Sequence, residues 1–186
     1  MKKAIRELEL CDHTFLLFND QMEFMHCLIP FIREGINKNQ KCMIVTDEIK
    51  REDIIRNFKL LFSPSLNPFD YLASNKTIEI CNFNSVYLQE GKFDIWKLKE
   101  KYLGVANDCL KEGFTGLRVF AEISSSMKKL VNEENFYKWE TFIDNYFKSE
   151  NFLAVCAYNK KYFSAKYTDK MCKAHPIEID LVKTRL

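Results

Sequence analysis

Gly113-Phe-Thr-Gly-Leu-Arg-Val-Phe-Ala-Glu122 sets the pattern from which the remainder of the chain can be read. Gly113 stops a helix, Gly116 turns the chain, and an apolar run follows that carries one arginine and ends on a glutamate. Alternation with a period of two sends Arg118, Phe120 and Glu122 to one face and Leu117, Val119 and Ala121 to the other. A run this apolar is the pattern of a strand covered on both sides. Arg118 and Glu122 are separated by roughly 13 Å at about 3.3 Å per residue, so neither satisfies the other. Because an unpaired buried charge is costly, both are expected to need outside partners and to project into a hollow that a ligand fills.

Working upstream, Asp94 is a credible N-cap for a helix over residues 95–112, whose stripe of Ile95, Leu98, Tyr102, Val105 and Cys109 steps by three and four. Residues 83–93 read as a covering loop and residues 77–82 as a short strand. The stretch 63–68, with two prolines, is a loop after a helix bearing Ile54, Ile55, Phe58, Leu61 and Phe62. Lys41-Cys-Met-Ile-Val-Thr-Asp47 is another buried strand, and residues 21–37 form a helix in which Pro30 predicts a kink or break. His26 on that helix reads as scaffold or surface. Residues 11–20 hold the first strand.

Downstream, Asn132 with Glu133 and Glu134 opens a helix over residues 135–148, and its aromatic stripe of Phe136, Trp139, Phe142, Ile143, Tyr146 and Phe147 reads as core. Residues 152–158 form an uncharged strand on which Phe152, Ala154, Cys156 and Tyr158 share a face. A last helix, residues 164–173, runs into His175-Pro176, and the proline biases His175 toward an extended backbone. Five alternations of strand and helix predict an α/β fold: three layers, with a mostly parallel five-stranded sheet and helices on both faces. Ligands of such sheets bind beyond the carboxyl ends of the strands, where Asn19, Asp20, Asp47, Asn82, Glu122 and Tyr158 are expected.

The 186 residues make one domain, and 47% hydrophobic with 29% charged residues is globular composition. A net charge of +2 with scattered basic residues gives no electrostatic drive toward nucleic acid. The charged start, Met1-Lys-Lys-Ala-Ile-Arg-Glu, does not read as a signal peptide, and no CxxC pair occurs among the seven cysteines, so reduced thiols in a cytoplasmic protein are expected. No run approaches the roughly eighteen apolar residues of a membrane span.

The chemistry is mostly negative. Phe18-Asn-Asp-Gln-Met22 has no glycine with which to wrap a phosphate, and no GxSxG elbow occurs; Ser124-Ser-Ser126 reads as a polar strand exit. Cys156 with His13 or His175 could make a nucleophile, but a mid-strand thiol among apolar neighbours lacks what lowers its pKa. Metal ligation by His13, His175 and a cysteine or glutamate would require three distant segments to converge, so neither a metal site nor a catalytic residue is assigned, and the cofactor is left unknown.

Several motifs in order carry a resemblance. His13 before an aromatic strand, Pro30-Phe-Ile-Arg-Glu-Gly35 with Cys42, Tyr87-Leu88 with Gly91-Lys-Phe-Asp94, Gly113-Phe-Thr-Gly-Leu-Arg118 with Glu122, Cys156-Ala-Tyr158 and His175-Pro176 resemble the MEDS family, the methanogen/methylotroph DcmR sensory domain, over residues 12–177. The resemblance implies a non-catalytic sensory domain of prokaryotic signal transduction that detects small organic molecules such as simple hydrocarbon derivatives. It also implies a RecA/KaiC-like fold without a phosphate loop, and output through a histidine kinase or transcription regulator. His13, Arg118, Glu122, Cys156, Tyr158 and His175 match the motif positions and become the ligand-site candidates. Family members often carry tryptophan shortly after the glutamate, where this chain has Ser124-Ser-Ser126. The rival reading is a RecA/KaiC-like nucleotide binder or ATPase with a degenerate phosphate site; a homodimer through an exposed sheet edge or helix face is compatible with either.

Overall fold

The computed structural model describes residues 1–61, 75–146 and 151–185. Its strands are β1 (Lys2–Lys3), β2 (His13–Phe18), β3 (Lys41–Thr46), β4 (Ile78–Asn82), β5 (Leu88–Gln89), β6 (Lys92–Phe93), β7 (Leu117–Glu122), β8 (Phe152–Asn159) and β9 (Ile177–Ile179). The helices are α1 (Gln21–Asn37), α2 (Arg51–Leu61), α3 (Phe83–Tyr87), α4 (Ile95–Lys111), α5 (Ser124–Leu130), α6 (Glu133–Tyr146), α7 (Ala165–Ala174) and α8 (Leu181–Arg185). The stretch 63–68, and Phe62 and Phe147 of the two helical stripes, lie outside the described residues.

The main sheet has seven strands in the order β1-β9-β2-β8-β7-β3-β4, and every pairing in it is parallel. All five expected strands are present. The two additions, β1 and β9, are only two and three residues long, too short for a periodic pattern to reveal them. They extend the β2 edge. The expected covering loop over residues 83–93 is instead α3 followed by the antiparallel β5–β6 hairpin. Asn82 nucleates α3 by accepting from the Ser85 amide at 2.8 Å, and left-handed Glu90 and Gly91 close the hairpin (φ 53° and 76°). The expected strand exit at Ser124-Ser-Ser126 is the first turn of α5.

The helix boundaries follow their local chemistry. Asp20 caps α1 by accepting from the Glu23 amide at 2.9 Å, Asp94 caps α4 by accepting from the Trp96 and Lys97 amides at 2.9 and 3.1 Å, and Asn132 accepts from the Asn135 amide at 3.0 Å before α6. Gly113 takes φ +89° just beyond α4. Of the kink or break expected at Pro30, the break does not form: α1 continues through it, and His26, whose carbonyl loses the Pro30 amide as a partner, lies on the exposed side.

Each face of the sheet has its own core. On one side, Phe24, Leu28, Phe31 and Ile32 of α1 and Ile54 and Phe58 of α2 cover Leu16, Cys42, Ile44, Phe120 and Val155. On the other, α3, α4, α6 and α7 cover Phe15, Val45, Val119, Cys156 and Tyr158. The α1 layer sits close. A Cβ on Gly35 would stand 2.3 Å from Cys42 Sγ and 3.1 Å from Arg118 Cδ, so the absence of a side chain there lets α1 seat against β3 and β7. Gly35→Ala is expected to lower the unfolding free energy by about 1–3 kcal/mol in urea titration, the ordinary range for overpacking; an unchanged midpoint would contradict this packing.

Candidate functional site

Of the six candidates, His13, Cys156, Tyr158 and His175 meet on the face covered by α6 and α7. Parallel register sets Phe15 beside Cys156 and Leu17 beside Tyr158, so His13, at the start of β2, lies diagonal to the thiol. His175 ends α7 with an extended backbone (φ −118°, ψ 119°), as the following proline requires. Its ring lies tilted against that of His13, with centroids 4.1 Å apart and planes at 38°.

At the centre is a residue absent from the sequence reading. Glu140 of α6 is wholly buried. Its Oε2 stands 3.1 Å from His13 Nε2, 3.2 Å from His175 Nε2 and 3.5 Å from Cys156 Sγ, and its Oε1 accepts from the Tyr158 hydroxyl at 3.0 Å. Cys156 Sγ is also 3.4 Å from His13 Nε2. Behind the cluster, His175 Nδ1 meets the Met171 carbonyl at 2.7 Å, and His13 Nδ1 lies 3.8 Å from Asp144 Oδ1.

Burial and charge compete here. Burial works to raise the Glu140 pKa, but the imidazole of His13 outweighs it and holds the carboxyl below its ordinary range. Burial pulls both imidazoles toward the neutral form. In His13, Asp144 and Glu140 reverse that and raise its pKa, whereas in His175 burial and the neighbouring His13 prevail and lower it. The Cys156 thiol is pushed well above its ordinary value by burial and then by Glu140, the opposite of an activated nucleophile.

Arg118 and Glu122 lie on the other side of the sheet and part company. Arg118 is fully buried, its guanidinium 4.4 Å from the centroid of the Phe31 ring, and none of its three nitrogens has a hydrogen-bond partner among the described residues. Burial draws its pKa down. Glu122 instead ties strand ends together: Oε2 accepts from the Asp47 and Glu48 amides at 3.1 and 2.9 Å, and Oε1 from the Ser124 amide at 3.3 Å. Asp47 in turn accepts from the Ser126 amide and, at 2.6 Å, from its hydroxyl. Next to this clasp, at the carboxyl ends of β3 and β4, is a hollow of about 300 Å³ lined by residues that include Asp47, Lys50, Arg51, Ile80 and Cys81. Tyr158, expected at the strand ends, is buried in the cluster beneath α6.

At the start of α1, where a nucleotide-binding fold would present free amides, Glu23 Oε2 accepts from the Asn19 backbone amide at 2.8 Å and its side-chain amide at 2.9 Å. Asp20 takes the Glu23 amide. Two carboxylates thus stand where a phosphate would need positive potential.

The profile of the MEDS family, described as the MEthanogen/methylotroph, DcmR Sensory domain, matches residues 12–176. The chain belongs to the MEDS family. MEDS is a sensory domain family. No curated protein matches the chain. Among the described residues of this MEDS domain, no helix is long and apolar enough to cross a membrane.

Two outcomes are expected. Under native conditions a thiol-alkylating reagent should label the exposed Cys11 and Cys172 and spare Cys156 until the protein unfolds, as read by peptide mass spectrometry; rapid native labelling of Cys156 would contradict its burial. Arg118→Met should raise the unfolding free energy by roughly 1–4 kcal/mol, because it removes a desolvated cation and keeps the contact with Phe31. A loss of stability would instead reveal a partner for the guanidinium.

Proposed function

We propose that this MEDS domain is a non-catalytic sensor that seats a small organic molecule in the hollow at the carboxyl ends of β3 and β4. It reports occupancy to a cytoplasmic signalling partner such as a histidine kinase or transcription regulator. The observation that carries this reading is the clasp beside the hollow. Glu122 grips the backbone of Asp47 and Glu48, and Asp47 grips Ser126, so the loop lining the hollow is joined to β7 and to α5. A ligand that favours one arrangement of the loop shifts that joint, and through it α5, by its differential affinity for the two states. At about 300 Å³ the hollow is at the small end of ligand pockets, in keeping with simple hydrocarbon derivatives that carry a polar group for Lys50 or Arg51.

The all-parallel sheet with helices on both faces supports a RecA/KaiC-like ancestry without a phosphate loop. The carboxylates of Asp20 and Glu23 at the start of α1 favour the sensor over the nucleotide-binding rival.

A thermal-shift screen of one-carbon and short-chain alcohols, acids, amines and halides tests the reading. At least one class should raise the melting temperature in a concentration-dependent way, as mass action requires, and Ile80→Trp, which fills the hollow, should abolish the shift while leaving the circular dichroism spectrum unchanged. No shift with any compound, or stoichiometric binding of ATP with magnesium in a calorimeter, would contradict it.

A further inference from the structure

We propose that His13, Glu140, Cys156 and His175 form a closed, four-ligand site for one borderline divalent cation, zinc by preference. The site goes beyond the sensor reading and lies apart from the hollow at the strand ends.

The geometry comes first. The four ligand atoms all lie within 4.8 Å of one another, and four of the six separations are 3.1, 3.2, 3.4 and 3.5 Å. Ligands held at about 2.0–2.3 Å around a tetrahedral zinc stand roughly 3.3–3.8 Å apart, so these four separations come within about 0.2 Å of the edges of such a shell.

The second observation is His175. The Met171 carbonyl only accepts, so Nδ1 of His175 carries the ring proton and Nε2 presents a lone pair. That nitrogen is buried, has no hydrogen-bond partner among the described residues, and points into the cluster 3.2 Å from a carboxylate oxygen that is itself an acceptor. Two acceptors face each other across the space a cation would occupy. A histidine whose far nitrogen is fixed by a backbone carbonyl is also the usual support of a metal-bound imidazole. Tyr158 plays the corresponding part for Glu140 by donating to its outer oxygen.

The chemistry balances. The Cys156 thiol gives up its proton to solvent, its lone pair forms the metal–sulfur bond, and no oxidation state changes. His13 binds through Nε2 and keeps its proton on Nδ1, on the side of Asp144. One thiolate and one carboxylate then neutralise the two charges of the cation, which suits a site without water. Two imidazoles, a thiolate and a carboxylate are the ligand types zinc takes, and four protein ligands with no open position mark a structural site. The cation would pin β2, β8, α6 and the α7–β9 junction together.

The test uses the tag-free full chain purified under reducing conditions. Elemental analysis should give one zinc per chain. Cobalt(II) titration should reach one equivalent with a thiolate-to-cobalt charge-transfer band and the strong visible bands of a tetrahedral centre. Cys156→Ala should lose the charge-transfer band, and the Cys11→Ser/Cys172→Ser double variant should keep it. Tyr158→Phe should keep the spectrum but weaken zinc binding by about 10- to 100-fold. Less than a tenth of an equivalent of metal after zinc loading, octahedral cobalt bands, or a charge-transfer band that follows Cys11 and Cys172 would overturn the proposal. Should Cys156→Ala fail to fold, the stoichiometry and cobalt spectrum of the unaltered chain and of the Cys11→Ser/Cys172→Ser variant still decide it.

Discussion

The carboxylate of Glu140 is the point where the helical layer and the sheet are joined by something more directional than apolar contact. It reaches from α6 between two imidazoles, a thiol and a phenol contributed by β2, β8 and the end of α7. A buried carboxylate stripped of such partners costs about 3–5 kcal/mol, a large share of the stability of a domain this size. The apolar face of α6 could bury itself against the sheet in several neighbouring orientations. The one seen is the one that satisfies Glu140, and it also fixes where α7 ends and how β9 enters the sheet edge.

The two faces of the sheet divide the labour. The α1 side is packed tightly enough to exclude a side chain at Gly35, and it holds Arg118 against the Phe31 ring. The α6 side carries the polar cluster. At the carboxyl edge, Glu122 accepts from the backbone amides of Asp47 and Glu48, and Asp47 from that of Ser126.

Much of this was legible in the residues. The uncharged run 152–158, the capped helices and the glycine at 113 dictated strand and helix assignments that the structure bears out, because each rests on local backbone chemistry. The edge strands β1 and β9 were not legible, since two or three residues carry no period and pair only through the rest of the fold. Four site candidates, His13, Cys156, Tyr158 and His175, do converge, yet the residue that unites them was passed over. Glu140 sits in register with Phe136 and Ile143, in the middle of an aromatic stripe, and a carboxylate at a core position of an amphipathic helix is itself a signal that it has buried partners. Glu122 finds partners other than Arg118, whereas Arg118, expected to need one, lies against the Phe31 ring with no hydrogen-bond partner among the described residues. Their separation into a stacked cation and a backbone clasp depends on which loops and helices lie across the sheet, and no spacing along β7 encodes that.

The most direct measurement is a double-mutant cycle between Glu140→Gln and His13→Asn, read by urea unfolding with a chelator present. If the carboxylate locks α6 to the sheet, the two losses overlap, and the coupling energy is about 1–3 kcal/mol, within the range for residues in one buried network. Additive losses within about 0.5 kcal/mol, the behaviour of independent sites, would contradict the account.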